Sequence, residues 1–466
     1  MSNHDADATI RSTNPFDPSE VVAELPRTSA DEADAALDAA VAAQPAWAAD
    51  ALGRSAALTR MAESVASRRD QFVDLMVREV GKPVPEAAGE VDRAVAILRY
   101  YSQVALDADG QTFPGSSPGA QVVVRRDPLG AILAICPWNF PLAIPLWKSA
   151  PALAYGNTVL IKPAGPAIAV ADLLIACAEE ALPPATLAQA RISVSQAGGL
   201  LDDPRVAAVT FTGSTGVGLS VAERMARRGA PAQAEMGGQN AAVVLADADL
   251  DAAADAIVSG AMGYAGQKCT ATRRVVALAP IAEELEEKLI ARVEALTVGD
   301  PAAEGVTVGP LIDRASAEGF DRAVDEALAA GGAELARAGN AAGEGHLVRP
   351  ALIRQDDPAA TVNQEETFGP LLTVLRAGSE NEAIAAANAT RFGLTGAVHG
   401  RDLGRAVALA ARLECGLKRV NAPTPGVDYY APFGGEGQSS FGPREQGRAA
   451  AEFFTRTSTM TVVPAP

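Results

Sequence analysis

A chain of 466 residues is too long for one ordinary hydrophobic core and calls for about two to three folded units. Its hydrophobic share of 48% supports a substantial interior, while a formal net charge of −18 repels phosphate and argues against nucleic acid or an anionic membrane as a non-specific partner. Four cysteines stand far apart (Cys136, Cys177, Cys269 and Cys415) with only three histidines in the chain (His4, His346 and His399), which disfavours a zinc site and a Ser-His-Asp apparatus.

The first ten residues are polar and acidic, without the basic-then-apolar pattern of a secretory signal. Residues 1 to 28 read as irregular. Ser29-Ala30-Asp31-Glu32 then forms a capping box that opens an alanine-rich helix, expected to stop near Gln44-Pro45. Further helical patterns run from Leu52 to about Val80 and from Glu86 to about Leu106. The period then changes, with strands at Gln121 to Arg126 and Leu129 to Cys136 around Asp127-Pro128. From there short β-rich runs alternate with helices. Strands are expected at Thr158 to Ile161, Val206 to Thr212, Ala241 to Leu245 and Arg274 to Ala279, with helices at Ile168 to Ala181, Gly216 to Arg228, 250–262 and 282–296. Such alternation predicts parallel sheets joined by right-handed crossovers. The pattern restarts after Glu235 and continues to about residue 437. Thr457 to Val463 alternates like an edge strand, which needs a sheet to join and points to a partner subunit. No stretch approaches the ~20 apolar residues of a membrane span. A reduced, soluble, cytoplasmic protein is expected.

Several motifs on this pattern carry chemistry, each beside a plainer alternative. In Cys136-Pro137-Trp138-Asn139-Phe140-Pro141 two prolines fix the backbone around an amide suited to an oxyanion; a turn asparagine packed by Trp138 and Phe140 reads equally well. Lys162 closes a strand at the edge where α/β sheets bind ligands, and is otherwise a solvated strand-end lysine. Gly213-Ser214-Thr215-Gly216-Val217-Gly218 joins a strand to a helix and suits a phosphate, although it lacks the Gly-x-Gly-x-x-Gly spacing and resembles many ordinary turns. Glu235-Met236-Gly237-Gly238-Gln239-Asn240 offers a carboxylate, and Gly266-Gln267-Lys268-Cys269-Thr270-Ala271 a thiol among small neighbours. A thiol and a water-activating base suit covalent catalysis at a carbonyl; a small apolar filler is the alternative for Cys269. Glu365-Glu366-Thr367-Phe368-Gly369-Pro370 is either an exposed turn or a holder of ribose hydroxyls.

Their order and spacing, with Pro432-Phe433-Gly434-Gly435 added, resemble the aldehyde dehydrogenase superfamily from about Asn14 to Val463. The resemblance implies an α/β protein with two parallel-sheet domains, one Rossmann-like for the cofactor and one catalytic, plus a small β oligomerisation element. It places the cofactor domain at 1–111 and 129–237, the catalytic domain at 238–437, and the oligomerisation element with the C-terminal tail at 112–128 and 438–466, a discontinuous element that pairs the strand region near 112–128 with the terminal strand near 456–463 and adds the latter to a neighbour's sheet. It implies that Cys269 attacks the aldehyde, that Asn139 and the Cys269 N–H hold the oxyanion, and that Glu235 activates water against the thioester. Lys162 and Glu366 then hold the cofactor riboses, Gly213, Ser214 and Gly218 face the diphosphate, Phe368 packs near the nicotinamide ribose, and Pro137 and Trp138 complete the cofactor side. No metal is implied, and a homodimer or homotetramer is. Relatives that transfer the acyl group to coenzyme A lack the carboxylate matching Glu235, so hydrolysis to the free acid is expected.

NAD-preferring relatives often carry a glutamate three positions after the lysine matching Lys162, where this chain has Gly165. NADP is therefore the expected cofactor, with NAD accepted as well. The run Val420 to Tyr430, the stretch Cys269 to Thr272 and Ser439 to Gly447 resemble 2,5-dioxopentanoate (α-ketoglutarate semialdehyde) dehydrogenases. Glu436-Gly437-Gln438 departs from a basic pair usual there, and Trp147 stands where succinate semialdehyde dehydrogenases have arginine. Another semialdehyde or an aliphatic aldehyde is the alternative substrate. A thiol acyltransferase or esterase, and a non-catalytic binding protein on the same fold, are the rival classes. Arg444 and Lys148 lie in the motifs from which the substrate's distal carboxylate could be held, with a structural or cofactor-related role as the alternative.

Overall fold

The computed structural model describes residues 9–107, 110–339 and 345–464. The expectation about the extreme amino terminus, His4 included, falls mostly outside them. Among the described residues no helix is long and apolar enough to cross a membrane.

Two large sheets organise the chain. A six-stranded sheet runs in the order Ser440–Phe441, Ala232–Glu235, Val206–Thr212, Ala131–Ile135, Thr158–Lys162 and Leu187–Gln189, parallel throughout except for its first member. Its strands are short apolar runs because helices cover both faces. Side chains alternate between them: Ile132, Ala134, Val159 and Ile161 pack under the helices Ala51–Ser67, Val84–Val104 and Ala143–Ala154, whereas Leu133, Leu160 and Val209 join a second core with Leu37, Leu200 and Met225. The strand order reverses between Ala131–Ile135 and Val206–Thr212, which opens a crevice beyond their carboxyl ends.

The seven-stranded sheet runs Ala333–Arg337, Ala351–Arg354, Leu371–Ala377, Thr272–Leu278, Asn240–Val244, Thr395–His399 and Leu417–Val420. Only its first pair is antiparallel. The chain passes from Glu235, the last residue of one sheet, to Asn240, the first of the other, through Met236-Gly237-Gly238-Gln239. The carboxyl edge of the first sheet therefore faces the amino edge of the second.

Four features differ from the sequence expectation, the first being that the stretch read as irregular holds an antiparallel pair, Thr9–Thr13 with Val21–Pro26. The capping box is present, with Glu32 N donating to Ser29 Oγ at 3.1 Å and Ser29 N to Glu32 at 2.8 Å, but the helix continues through Pro45 to Ala49. The proline removes one amide donor, and tertiary anchoring just beyond it prevails: Trp47 is buried and donates to the Leu153 carbonyl at 3.0 Å. The pattern from 52 to 80 splits at Arg68 into the helices Ala51–Ser67 and Arg69–Val80. The terminal strand Thr455–Val462 pairs antiparallel with Gln121–Pro128, as the expected discontinuous element requires, and Gln121–Pro128 in turn pairs with Gly110–Pro114. Residues 438–454, expected with this small sheet, lie elsewhere: Ser440–Phe441 extends the six-stranded sheet, and Phe453 and Phe454 join the core under Ala143–Ala154.

Candidate active site

The nucleophile-type loop is shaped by unusual backbone. Tyr264 and Ala265 adopt left-handed conformations (φ +51° and +50°) just before Gly266 (φ +68°), where a Cβ would collide with the Gly369 carbonyl. Such strain needs support from neighbours. Arg273, buried at the start of Thr272–Leu278, donates to the carbonyls of Gly266 (2.6 Å), Lys268 (3.3 Å) and Gly369 (2.6 Å), and its guanidinium lies 6.0 Å from the Phe368 ring. Asn240 donates to the carbonyls of Cys269 and Ala271, both at 2.8 Å. Cys269 is thus held half-buried on a rigid turn.

Asn139 is brought to this loop from the other sheet. It follows Ala131–Ile135, is buried, and its side-chain amide donates to the Gln267 carbonyl at 2.9 Å. Gln267 is itself fixed, accepting from Ile312 N at 2.9 Å. Under the Asn139 turn lies a fully buried ion pair. The Lys82 ammonium contacts Glu90, donates to the Asn139 carbonyl at 2.9 Å and sits 4.0 Å from the Phe140 ring centre, while Glu90 accepts from the N–H groups of Leu142 and Ala143. Breaking such a pair strands a charge in a low-dielectric core. Lys82→Met is expected to cost roughly 3–5 kcal/mol of unfolding free energy, measurable by urea denaturation.

Glu235 ends the strand Ala232–Glu235 and is buried. One carboxylate oxygen accepts from Ser440 Oγ at 2.5 Å; the other, Oε1, has no hydrogen-bond partner among the described residues, and a Cβ on Gly434 would stand 2.9 Å from it. Burial pushes the Glu235 carboxyl well above its usual range, and the buried Glu445 carboxylate adds to the shift. Burial also pushes the Cys269 thiol up to about 12, reinforced by Glu366 and then Glu235. The two groups therefore share one electrostatic environment.

The sheet crevice fits a dinucleotide. Ser214 caps the helix Thr215–Arg227 at the strand end, yet its hydroxyl makes no capping bond, leaving the helix amides and the hydroxyl open. Gly213 and Gly218 pack on Phe211 and Met236, where a Cβ would approach to 2.6 Å. Lys162, two strands away, is half-buried and bonds only its neighbour's carbonyl, at 3.3 Å. Glu366 reaches the crossing segment, accepting from Gly238 N at 3.3 Å, and burial lifts its carboxyl to about 7. Phe368 (φ +48°) meets Trp138 edge-to-face with ring centres 5.8 Å apart, and Pro137 is half-buried beside it. Lysine, hydroxyl, glycine loop and carboxylate are the donor set that a phosphate-linked pair of riboses requires.

Sequence reading missed the supporting residues. Asn240 and Ser440 lie inside recognised motifs, but nothing local shows what they hold. Lys82, Glu90 and Arg273 carry no local signal of a role in the site. Lys148 is fully buried, donating to Thr210 Oγ1 and the Phe211 carbonyl (both 3.0 Å) and pairing with Glu445. Arg444 donates to the Gly435 carbonyl beside Glu235.

The sequence model of the aldehyde dehydrogenase family matches residues 2–460. An alpha-ketoglutaric semialdehyde dehydrogenase from Bacillus subtilis is 38% identical over 464 residues, covering 98% of this chain and 95% of that protein. Among solved structures, an NAD-dependent aldehyde dehydrogenase from Sinorhizobium meliloti superposes with a TM-score of 0.94 at 31% identity, covering 100% of this chain and 94% of that one. An NADP-dependent glyceraldehyde-3-phosphate dehydrogenase from Bacillus halodurans C-125, complexed with NADP, gives 0.92 at 32% identity, covering 98% and 96%.

Proposed function

The chain belongs to the aldehyde dehydrogenase family, as an NAD(P)-dependent oxidoreductase, and from that premise we propose that it oxidises an acidic semialdehyde, 2,5-dioxopentanoate, to the dicarboxylic acid. Cys269 loses its thiol proton to solvent and its Sγ attacks the aldehyde carbon; the S–C bond forms as the carbonyl π bond opens. The oxyanion is held by the Asn139 amide and the Cys269 N–H, fixed donors that need no reorganisation as charge develops. Lys162, Gly213, Ser214, Gly218, Glu366 and Phe368, with Pro137 and Trp138, would hold a nicotinamide dinucleotide, which would accept the hydrogen lost as hydride when the C–H bond of the thiohemiacetal breaks and a thioester is left on Cys269. Glu235 takes a proton from water, whose oxygen attacks the thioester carbonyl; the C–S bond breaks and the thiol is restored.

One observation carries this reading: Glu235 has a buried carboxylate oxygen with no partner, in the same electrostatic environment as a half-buried thiol whose loop is locked to Asn139. A buried acceptor left open is costly unless something binds there in turnover, and water is the ligand of matching size.

The acidic substrate is supported by the B. subtilis relative and by the motifs from Val420 to Gly447; the charge change at Glu436-Gly437-Gln438 weighs against it. A panel of 2,5-dioxopentanoate, glutarate semialdehyde, succinate semialdehyde and simple aldehydes with both cofactors tests the reading. The highest kcat/KM is expected for 2,5-dioxopentanoate, and a preference for unbranched neutral aldehydes would overturn it.

NADP is the preferred cofactor in this proposal. Gly165 places no carboxylate near Lys162, so a 2′-phosphate meets attraction without repulsion. A Cβ at Gly165 would lie 3.6 Å from Ile10, an ordinary contact, so a side chain is tolerated. Gly165→Glu is expected to shift the NAD/NADP ratio of kcat/KM toward NAD by on the order of tenfold or more, read by steady-state kinetics with each cofactor. An unchanged ratio would remove Gly165 from the account.

A further inference from the structure

Two half-buried cations, Arg27 and Lys162, share one corner of the crevice, and neither has an acidic partner among the described residues. Lys162 ends the strand Thr158–Lys162, and its ammonium bonds only the Pro163 carbonyl. Burial pushes that ammonium below its usual range, and the nearby charge of Arg27 pushes the same way.

The N-terminal hairpin brings Arg27 to this corner. Thr9–Thr13 pairs with Val21–Pro26, and Ile10 of the first strand lies against Gly165, just past Lys162. The chain leaving the hairpin is pinned on both sides of Arg27. Arg191 Nε donates to the Pro26 carbonyl at 3.0 Å, Thr28 N donates to the Arg191 carbonyl at 3.1 Å, and Thr28 Oγ1 accepts from Arg191 N at 2.9 Å. Arg191 in turn follows Leu187–Gln189, the strand paired with Thr158–Lys162, and Ala190 N donates to the Ile161 carbonyl at 2.8 Å. The Arg27 backbone is therefore fixed at the carboxyl edge of the strand that carries Lys162.

The fold leaves the Arg27 guanidinium unused. Its Nε is buried with no hydrogen-bond partner among the described residues. Acids of the same segment are taken: Glu24 pairs with Arg11, Glu32 accepts from Ser29 N, and Asp172 pairs with Arg191. A buried donor beside a second cation is unfavourable until an anion arrives. That anion must accept from a planar fork and a point charge together, which the terminal oxygens of a phosphate monoester do.

We propose that Arg27 is a specificity-determining residue for the cofactor, joining Lys162 to bind a phosphate monoester on the 2′-oxygen of the adenosine ribose. The assignment rests on the proposed preference for NADP and adds a residue that enforces it.

The test is binding, read by titration calorimetry on the full-length protein with NADP, NAD, adenosine 2′,5′-bisphosphate and adenosine 5′-monophosphate. Arg27→Gln is expected to weaken NADP and the bisphosphate roughly 10- to 100-fold, with little change for NAD and the monophosphate. Arg27→Lys, which keeps the charge and loses the fork, should fall between. Weakening of all four ligands alike, or of none, overturns the assignment. Wild-type protein gives a check that needs no variant and stands even if Arg27→Gln misfolds. Phenylglyoxal, an arginine-specific dicarbonyl, should label Arg27, and the bisphosphate should protect the Arg27 peptide far better than the monophosphate does, as read by mass spectrometry. Equal protection by the two overturns it as well. Wild-type protein that binds NAD more tightly than NADP, while Arg27→Gln still weakens the bisphosphate, defeats the NADP preference and keeps the arginine. An NADP preference that survives intact in Arg27→Gln defeats the arginine alone.

Discussion

Cys269→Ala is expected to lower dehydrogenase turnover by on the order of 10⁴-fold or more, while binding of NADP, followed by fluorescence or calorimetry, persists. The loss should be complete because the other cysteines offer no substitute. Cys136, Cys177 and Cys415 are buried, and burial pushes the Cys136 and Cys415 thiols up to about 12 and about 11. Cys269 has an equally raised thiol, but it alone is half-buried, on a strained turn whose carbonyls are pinned by Arg273 and Asn240. What distinguishes it is access and orientation. Alanine variants of the other three should keep their turnover, and appreciable activity in Cys269→Ala would remove the covalent mechanism. Intact cofactor binding in the same protein separates lost chemistry from lost fold.

Glu235→Gln is expected to separate the two halves of the reaction. Acylation of Cys269 does not require this carboxylate in the proposed scheme, so one equivalent of NAD(P)H should appear as a burst. Steady turnover should then fall by roughly 10²- to 10⁴-fold, with acyl-enzyme visible as a mass increase on the Cys269 peptide. The pH profile adds an independent check. Glu235 acts only when ionised, and burial, aided by Glu445, raises its pKa. The active fraction must therefore increase as pH rises through that elevated value, so kcat should climb with pH above the range in which an ordinary carboxylate titrates. Glutamine has no proton to lose, and the climb attributable to deacylation should disappear. A variant with no burst, or one with undiminished steady turnover, contradicts the role given to Glu235. Ser440→Ala offers a milder version, since it removes the one hydrogen bond that favours the ionised carboxylate and should move the profile further to the alkaline side.

Where local signals were strong, the sequence reading of the fold and the folded chain agree closely. The strand Val206–Thr212 and the helices Ile168–Ala181 and Leu250–Met262 have the limits that their apolar periods predict. The capping box at Ser29 works as its spacing requires. Local signals failed where distant contacts outweighed them. Pro45 marks a helix end by its chemistry, yet Trp47, anchored to a carbonyl 106 positions away, carries the helix past it. The final strand shows locally only that it needs a sheet; its pairing with Gln121–Pro128, hundreds of residues earlier, follows from the family resemblance and not from any local signal. Lys148 reads as a candidate for the substrate's distal carboxylate or a structural group, and the fold makes it a buried cation paired with Glu445, 297 positions along the chain.

The sequence by itself determined the chemical inventory and its local settings: a thiol, an amide and carboxylates on short turns between apolar runs, in an order that resembles one enzyme family. Periodicity and turn chemistry act over a few residues, so they are written into the chain. Only the tertiary structure decided which of those groups lose water, which find partners and which are left open. Solvation and hydrogen bonding depend on whatever atoms surround a group, and here those atoms come from both sheets. Hence Lys82 and Glu90 neutralise each other beneath Asn139, Glu235 keeps an unpaired oxygen, and Lys268 retains a share of solvent.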